Sequence, residues 1–133
     1  MPPEDVRTRY RVLIVDDEES MRLLLAGMLA QELEVDVQLA GTCEQALRLA
    51  ESHTYDAILL DLMMPGIGGF GVLYGVRRSA PNANTPIIMV SVVSEKKSIE
   101  RCLAAGANAY LTKPVRSAEL GKVLKEQLAA RRG

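Results

Sequence analysis

The sequence is poor in the residues that hold structural metals or form disulfides. It has two cysteines, Cys43 and Cys102, a single histidine, and no C-x-x-C motif. Zinc sites and disulfide frameworks need more cysteine and histidine than this, at closer spacing. We therefore expect neither, and both cysteines are interpreted as small apolar residues on helix faces. The cytoplasm is the predicted compartment.

An excess of charge of one sign and long apolar runs are also missing. The 16 basic and 17 acidic side chains give a formal net charge of −1, which argues against a nucleic-acid or membrane footprint spread over the whole surface. No segment approaches the ~20 apolar residues of a membrane span, and the N-terminal MPPEDVRTRY has no apolar core of a signal peptide. We predict contact with neither nucleic acid nor membrane, and a partner bound at a local site.

What the sequence does contain is a repeated pattern of an apolar strand followed by an amphipathic helix. The 133 residues suffice for one compact domain. Four apolar runs, at residues 12–15, 56–61, 87–91 and 109–112, are predicted as strands within a sheet. The segment VDVQLA at 35–40 alternates apolar and polar residues, which is typical of an edge strand.

Helical spacing follows each predicted strand. Thr42 and Gln45 form a capping box for a helix that extends to about Ser52, and a helix at 96–105 is predicted to stop at Gly106. The predicted apolar faces are Met21, Leu24, Leu25, Met28 and Leu29 in the first helix, Phe70, Leu73, Tyr74 and Arg77 in the third, and Leu120, Val123, Leu124 and Leu128 in the last.

These five units predict an α/β fold. Strands and helices that alternate with short connections form a parallel sheet with helices on both faces, because the crossovers are right-handed. A closed barrel would need eight units. We therefore expect a doubly wound five-stranded parallel sheet, flavodoxin-like, in the order 2-1-3-4-5, which places the alternating strand at an edge. The domain is predicted to span residues 10–130, with an N-terminal extension at 1–9 and a tail at 131–133.

Polar residues follow four of the five predicted strands, at the point where each strand ends. They are Asp16 and Asp17 after strand 1, Asp61 after strand 3, Ser91 at the end of strand 4, and Thr112 and Lys113 at the end of strand 5. Ligands of open α/β sheets bind outside the carboxyl ends of the strands, so these side chains are expected to meet at one edge of the sheet.

The chemistry of this set favours a divalent cation and a phosphoryl group. Asp16, Asp17 and Asp61 would form an oxygen-rich site of the kind that Mg²⁺ occupies. Lys113 and Ser91 supply a positive charge and a hydroxyl, which bind phosphoryl oxygens. An aspartate beside a metal and a lysine can attack phosphorus, so Asp61 is the predicted acceptor. A helix-capping role is the competing interpretation of a single aspartate, but not of four such strand ends.

Four segments, in this order, resemble the signature blocks of the receiver domain of bacterial two-component response regulators. They are VLIVDDEES, AILLDLMMPGIGGF, MVSVVS and GANAYLTKPV, and the resemblance covers roughly residues 10–130. It implies a phosphorylation-dependent switch that accepts a phosphoryl group on Asp61 from a sensor histidine kinase or a phosphotransfer protein. Such a domain is not a conventional enzyme, although it catalyses its own phosphorylation and slow dephosphorylation.

The resemblance also implies roles for individual residues near the acceptor. Asp17 matches the direct ligand of Mg²⁺, Asp16 its acidic neighbour, and Met63 the residue whose backbone carbonyl binds the metal. Lys113 matches the lysine that holds the phosphoryl group, and it precedes a proline through a peptide bond that is usually cis.

Two further residues match the parts of the family that move. Ser91 corresponds to the switch hydroxyl, and Tyr110 to the aromatic that changes rotamer, although a plain core role fits Tyr110 nearly as well. The resemblance places the changing surface on the fourth helix, fifth strand and fifth helix, which would contact an effector, an output domain or a second copy in a homodimer. Basic residues predicted there are Lys96, Lys97, Arg101, Arg116 and Lys122.

The chain departs from the family pattern at three places. The loop Pro65–Gly69 has glycine where an aspartate is common, which makes the loop more flexible. Val92 replaces the usual alanine or glycine and is expected to narrow the phosphoryl entrance and slow transfer. Met63 and Val93 stand at the two positions that tune dephosphorylation, and neither side chain can orient a water molecule. We predict a long-lived phosphoryl group.

Three alternative functions compete with this interpretation. The first is a receiver-like interaction module that works without phosphorylation, which Val92 and the glycine-rich loop make conceivable. A flavodoxin-type nucleotide or flavin protein would carry a Gly/Ser/Thr-rich turn after strand 1, where this chain has DDEES. A metal-dependent phosphatase with an aspartate nucleophile usually places it on the first strand in a D-x-D arrangement, whereas the strong candidate here is on the third.

Overall fold

Five strands alternate with five helices along residues 9–132, the part of the chain that a computed structural model describes, with side chains described to residue 130. The strands are β1 (Tyr10–Val15), β2 (Val35–Ala40), β3 (Ala57–Leu60), β4 (Ile87–Ser91) and β5 (Ala109–Thr112). The helices are α1 (Glu19–Glu32), α2 (Cys43–Ser52), α3 (Gly68–Arg77), α4 (Lys96–Ala104) and α5 (Ser117–Arg132). The predicted extension, apart from Arg9, lies outside the described residues, as does Gly133.

The strands form one parallel sheet in the order β2-β1-β3-β4-β5, which confirms the predicted fold. In the centre of the sheet, Val12 of β1 is paired with Val37 of β2 on one side and with Ala57 of β3 on the other. β2 is an edge strand, and its alternating sequence reflects the partial exposure of its middle residues. The parallel register brings the carboxyl ends of all five strands to the same edge.

The core consists of two layers, one on each face of the sheet. Ile58 and Leu60 of β3 pack on the side of α2 and α3, whereas Ala57 and Leu59 pack on the side of α1 and α5. All four residues of β3 are therefore buried, which explains why the strand shows no alternation. Among the described residues, no helix is both long enough and apolar enough to cross a membrane.

Two of the predicted helix faces are wrong in part. Leu24 of α1 is 51% exposed, and α1 buries Leu25 and Leu29. α3 faces the core with Val72, Leu73 and Val76 rather than with Tyr74, because the helix is rotated by one residue relative to the prediction.

Of the aromatic residues of α3, Phe70 packs at the border of the core and Tyr74 is exposed. The rings of Phe70 and Tyr74 are 5.4 Å apart, and the Arg101 guanidinium of α4 lies 3.9 Å from the centre of the Phe70 ring. Phe70 thus contacts both Tyr74 and Arg101 although its ring is only partly buried.

The capping interaction that starts α2 is present in a modified form. Thr42 Oγ1 accepts a hydrogen bond from the Gln45 backbone N–H at 3.1 Å, as predicted. The Gln45 side chain returns to the N–H of Gly41 at 3.0 Å, one residue before the cap. Both bonds satisfy amides at the helix start and fix the connection that follows β2.

Candidate functional site

The carboxyl edge of the sheet brings together the polar residues that were predicted to form a site. They are Asp16 and Asp17 after β1, Asp61 after β3, Ser91 at the end of β4, and Lys113 after β5, while Thr112 ends β5 with an exposed side chain. Only 1% of Asp16, 6% of Asp61 and 0% of Ser91 is exposed, whereas Asp17 faces solvent. Buried carboxylates are rare without partners, so their contacts decide what the site can do.

Lys113 is the positive charge at the centre of the site. Its Nζ donates to Asp16 Oδ2 at 2.8 Å and to Asp61 Oδ2 at 3.2 Å, and only 9% of its side chain is exposed. The Lys113 backbone N–H donates to the carbonyl of Ser91 at 2.8 Å, which ties the end of β5 to the end of β4. The Lys113–Pro114 peptide bond is cis, in agreement with the resemblance.

Backbone amides hold the other oxygen of each buried carboxylate. Asp61 Oδ1 accepts from the N–H of Met63 at 3.0 Å, and Asp16 Oδ1 accepts from the N–H of Glu18 at 2.9 Å. Both are local turns in which an aspartate caps the amide two residues later. In each carboxylate, Oδ1 therefore accepts from a backbone amide of the following loop and Oδ2 accepts from Lys113.

Burial and charge act in opposite directions on the acid and base of this pair. Burial raises the pKa of Asp61, against the opposing effects of the Met63 amide and of Lys113. For Lys113, burial alone would lower the pKa, but the hydrogen bond with Asp16 and the charge of Asp61 outweigh it and raise the pKa. Lys113 therefore stays protonated at neutral pH, while the charged form of Asp61 is held at a cost in free energy.

The donor set fits a divalent cation. Asp16, Asp17 and Asp61 each offer a carboxylate oxygen, and these three oxygens lie within 4.8 Å of one another. The three carboxylates and one ammonium group carry a formal net charge of −2. Hard oxygen ligands with one exposed member suit Mg²⁺, which binds a few carboxylates and keeps several waters.

The two predicted switch residues contact the same residue of the loop after β4. Ser91 Oγ accepts from the N–H of Val93 at 3.2 Å, and the Tyr110 hydroxyl donates to the carbonyl of Val93 at 2.5 Å. Burial raises the pKa of Tyr110, so its hydroxyl keeps the proton that it donates. Ser91 and Tyr110 are thereby linked through one peptide segment beside Asp61.

Comparison with known families agrees with this geometry. The model of the response regulator receiver domain matches residues 12–125, which is most of the chain. This chain belongs to that family. The assignment confirms the predicted family and agrees with the strand order of the sheet.

Individual relatives support the same assignment. Transcriptional regulatory protein PdtaR of Mycobacterium tuberculosis is 35% identical over 116 residues, or 87% of this chain. The receiver domain spans about half the length of the curated relatives it matches, 44% and 55% for two of them.

Solved structures of receiver domains superpose closely on this one. A CheY-like receiver domain protein from Methanospirillum hungatei has a TM-score of 0.85 at 28% identity, covering 92% of this chain and 96% of that one. The receiver domain of sensor histidine kinase PA1611 from Pseudomonas aeruginosa, with magnesium coordinated in its active-site cleft, has a TM-score of 0.82 at 32% identity, covering 90% and 98%.

In this receiver domain the loop after Asp61 depends on glycine. Gly66 and Gly68 have φ values of +85° and +77°, which side chains rarely adopt. A Cβ on Gly69 would lie 2.0 Å from the carbonyl oxygen of Asp61, so only glycine allows the loop to close there. Met63 and Val92, near the carboxyl ends of β3 and β4, are 59% and 64% exposed. Narrowing of the entrance by Val92 stays a prediction.

Three contacts of the receiver domain were not predicted. Arg22 Nη1 donates to the carbonyl of Asp16 at 2.7 Å, and Cys43 Sγ lies 3.4 Å from the carbonyl of Pro65 in the loop after Asp61. Val93 links the two switch residues through its backbone. None of these has a sequence signal, because each depends on a backbone atom of a residue that could be of almost any type.

The raised pKa of Asp61 predicts that its charge destabilises the metal-free fold. The folded state binds this proton more tightly than the unfolded state, so the contribution of Asp61 to stability falls as pH rises through its raised pKa. We expect Asp61→Asn to be more stable than the wild type at neutral pH without Mg²⁺, by roughly 1 kcal/mol. Thermal unfolding with EDTA should show the difference, and it should shrink as the pH is lowered. A less stable variant at neutral pH would contradict this account.

Proposed function

We propose that this receiver domain is a phosphorylation-dependent signalling switch with Asp61 as the acceptor. A sensor histidine kinase or a phosphotransfer protein would donate the phosphoryl group in a Mg²⁺-dependent reaction. The observation that carries the proposal is the contact of Lys113 Nζ with both Asp16 and Asp61, at 2.8 and 3.2 Å, next to a third carboxylate. Burying two carboxylates and a lysine costs desolvation free energy that apolar residues would not cost, and a site for phosphoryl transfer accounts for that cost.

The transfer would proceed by direct displacement at phosphorus. A carboxylate oxygen of Asp61 attacks, an O–P bond forms, and the N–P bond of the phosphohistidine breaks, with the imidazole leaving and regaining a proton from solvent. Lys113 would bind a phosphoryl oxygen as negative charge develops. Asp16, Asp17, Asp61 and the carbonyl of Met63 would hold Mg²⁺, which supplies further neutralisation of that charge.

The signal would leave the site through the loop after β4. A phosphoryl group adds about −1.5 to −2 units of charge at neutral pH. Ser91, whose hydroxyl now accepts from the Val93 amide, would turn to donate to a phosphoryl oxygen. Because Val93 is also the partner of Tyr110, its movement would free the Tyr110 side chain to change rotamer. The surface of α4, β5 and α5 would then change.

The energy required for such a switch is moderate. Converting a domain from mostly inactive to mostly active takes about 5 kcal/mol of preference for the active state. A new network of charge-assisted hydrogen bonds from Lys113 and Ser91 is of that order. The changed surface would control an effector or an output domain, or form a homodimer.

Intact mass after incubation with Mg²⁺ and acetyl phosphate tests the proposed function. We expect one phosphoryl group on the wild type and none on Asp61→Asn. Asp56→Asn is a matched control at the opposite end of β3, where the carboxylate accepts from the N–H of Arg11 at 2.8 Å, and it should be phosphorylated. No addition to the wild type, with a histidine kinase also tried as donor, would favour the interaction module that works without phosphorylation.

The exposed Met63 side chain predicts slow loss of the phosphoryl group. Its apolar side chain, 59% exposed near Asp61, cannot orient a water molecule for attack on the aspartyl phosphate. We expect a wild-type lifetime of minutes or longer and an acceleration of about tenfold in Met63→Asn, which is less than the roughly 10²–10⁴-fold of a general acid or base because the amide only orients the water. Decay of the phosphorylated form after removal of the donor measures both.

Met63→Leu is the control for that measurement, because it stays apolar and should decay as slowly as the wild type. Loss within seconds from the wild type would contradict the prediction.

A further inference from the structure

The backbone at Asp16 and Asp17, after β1, accepts a hydrogen bond from a side chain that has no role in the proposed function. Arg22, in the first half of α1, extends back over the loop, and its Nη1 donates to the carbonyl oxygen of Asp16 at 2.7 Å. The other polar groups of Asp16 are also occupied. Its N–H donates to the carbonyl of Ala40 at 3.1 Å, and its two carboxylate oxygens accept from Glu18 and Lys113.

The carbonyl that Arg22 binds belongs to the peptide unit that joins Asp16 to Asp17. Because this unit is planar, fixing its oxygen also fixes the direction of the Asp17 N–H and the starting position of the Asp17 Cα. Asp17 is the exposed carboxylate of the cluster, yet its oxygen lies within 4.8 Å of those of Asp16 and Asp61. Because Asp17 is exposed, we attribute the position of its carboxylate to the backbone that carries it.

Gly41 shows independently that the fold makes room for this contact. A Cβ built on Gly41 would lie 2.8 Å from Arg22 Nη1 and 3.2 Å from Cζ. Gly41 is not among the glycines with positive φ, so its backbone does not require glycine. A side chain at position 41 would therefore have to displace the guanidinium from its present position.

We propose that Arg22, in the space left by Gly41, is a positioning residue that fixes the Asp16–Asp17 peptide and thereby aims the Asp17 carboxylate at the metal. The inference rests on the proposed function, because it assigns a purpose to the same site. Arg22 binds a backbone oxygen of Asp16 rather than a carboxylate, so it acts on Asp17 through the backbone.

The charge of Arg22 makes the proposal testable by the sign of an effect. Arg22 carries a positive charge that repels Mg²⁺. If charge were its only effect, removing Arg22 should strengthen the binding of Mg²⁺. Loss of positioning should weaken it, as it does for other groups that orient metal ligands, by about tenfold. The two explanations therefore predict opposite changes in the dissociation constant.

The test compares Arg22→Met, which keeps the length of the stem and removes the donors, with Arg48→Met, which removes an exposed arginine of α2. Calorimetric titration with Mg²⁺ should show about tenfold weaker binding for Arg22→Met and no weakening for Arg48→Met. In the metal-free protein, ¹⁵N relaxation should show increased motion of the Asp17 amide in Arg22→Met alone.

Gly41→Ala tests the same contact with all charges retained. The added methyl group should displace the guanidinium and weaken Mg²⁺ binding several-fold, and this variant carries the test if Arg22→Met does not fold. Binding by Arg22→Met or by Gly41→Ala that equals or exceeds that of the wild type, with an unchanged Asp17 amide, would overturn the proposal.

Failure of the proposed function is recognised separately. In that case the wild type itself would take no phosphoryl group, whatever Arg22 does to the Asp17 amide.

Discussion

Lys113→Met is expected to slow phosphoryl incorporation by about a hundredfold or more, the loss typical of removing one group that stabilises developing charge. The same change is expected to reduce the free energy of unfolding by about 3 kcal/mol, because it leaves buried carboxylates without their counter-charge. Asp16 and Asp61 are 1% and 6% exposed, and Lys113 Nζ contacts both. Acetyl phosphate labelling and chemical denaturation measure the two effects.

The loss of stability should depend on pH in a defined direction. The pKa of Lys113 is raised, so its contribution is fully present below the ordinary lysine pKa and disappears as pH rises through the higher folded value. At the acid end, the raised pKa of Asp61 means that its charge is removed early as pH falls. The difference between wild type and Lys113→Met should therefore be largest between these limits.

Lys125→Met is the matched control for this prediction. Lys125 Nζ lies 3.7 Å from Glu32 Oε1, and its side chain is 51% exposed. An exposed pair of this kind contributes no more than about 1 kcal/mol. If Lys113→Met were as stable as Lys125→Met and were phosphorylated at the wild-type rate, the central role of Lys113 would be wrong.

Arg77→Met is expected to have the second large effect, a loss of about 3 kcal/mol in the free energy of unfolding. The Arg77 guanidinium at the end of α3 donates to five oxygen atoms, all of them uncharged. The acceptors are the carbonyls of Gly106, Asn82, Ala83 and Thr85 and the side-chain oxygen of Asn108, at 2.8 to 3.2 Å. Its removal would leave several of these acceptors without a partner.

The contacts of Arg77 require a side chain that reaches several segments at once. Burial lowers the pKa of Arg77, but an arginine stays protonated in any case. One planar group thus joins the end of α3 to the loop before β4 and to the connection between α4 and β5. Lysine has a single nitrogen and cannot span these sites, so Arg77→Lys should recover only part of the loss.

Arg78→Met is the control, because Arg78 is adjacent in sequence and exposed. Chemical denaturation should give it wild-type stability within about 0.5 kcal/mol. Equal stability of Arg77→Met and Arg78→Met would contradict a bridging role for Arg77.

The contrast between Asp61 and Arg77 illustrates what could be predicted. Asp61 follows a run of buried residues, and in a parallel sheet the end of a strand has a known place, so sequence alone assigned the aspartate to the site. Arg77 was assigned only to a helix face, together with Phe70 and Tyr74. Four of its five acceptors are backbone carbonyls, up to 29 residues away, and carbonyls are the same in every residue. No pattern of side chains encodes them.

The five strand–helix units and the residues at the carboxyl edge of the sheet could be predicted from the sequence, because strand ends and hydrophobic periodicity are local properties. The strand order followed from the alternating second strand, which selects one of the common orders of open parallel sheets. Three features could be read only from the folded chain: which oxygen of each carboxylate contacts Lys113, the link from Ser91 through Val93 to Tyr110, and the contact of Arg22 with the Asp16 carbonyl beside Gly41. Those contacts join backbone atoms or side chains of distant segments, and only the packing of helices on the sheet sets their distances.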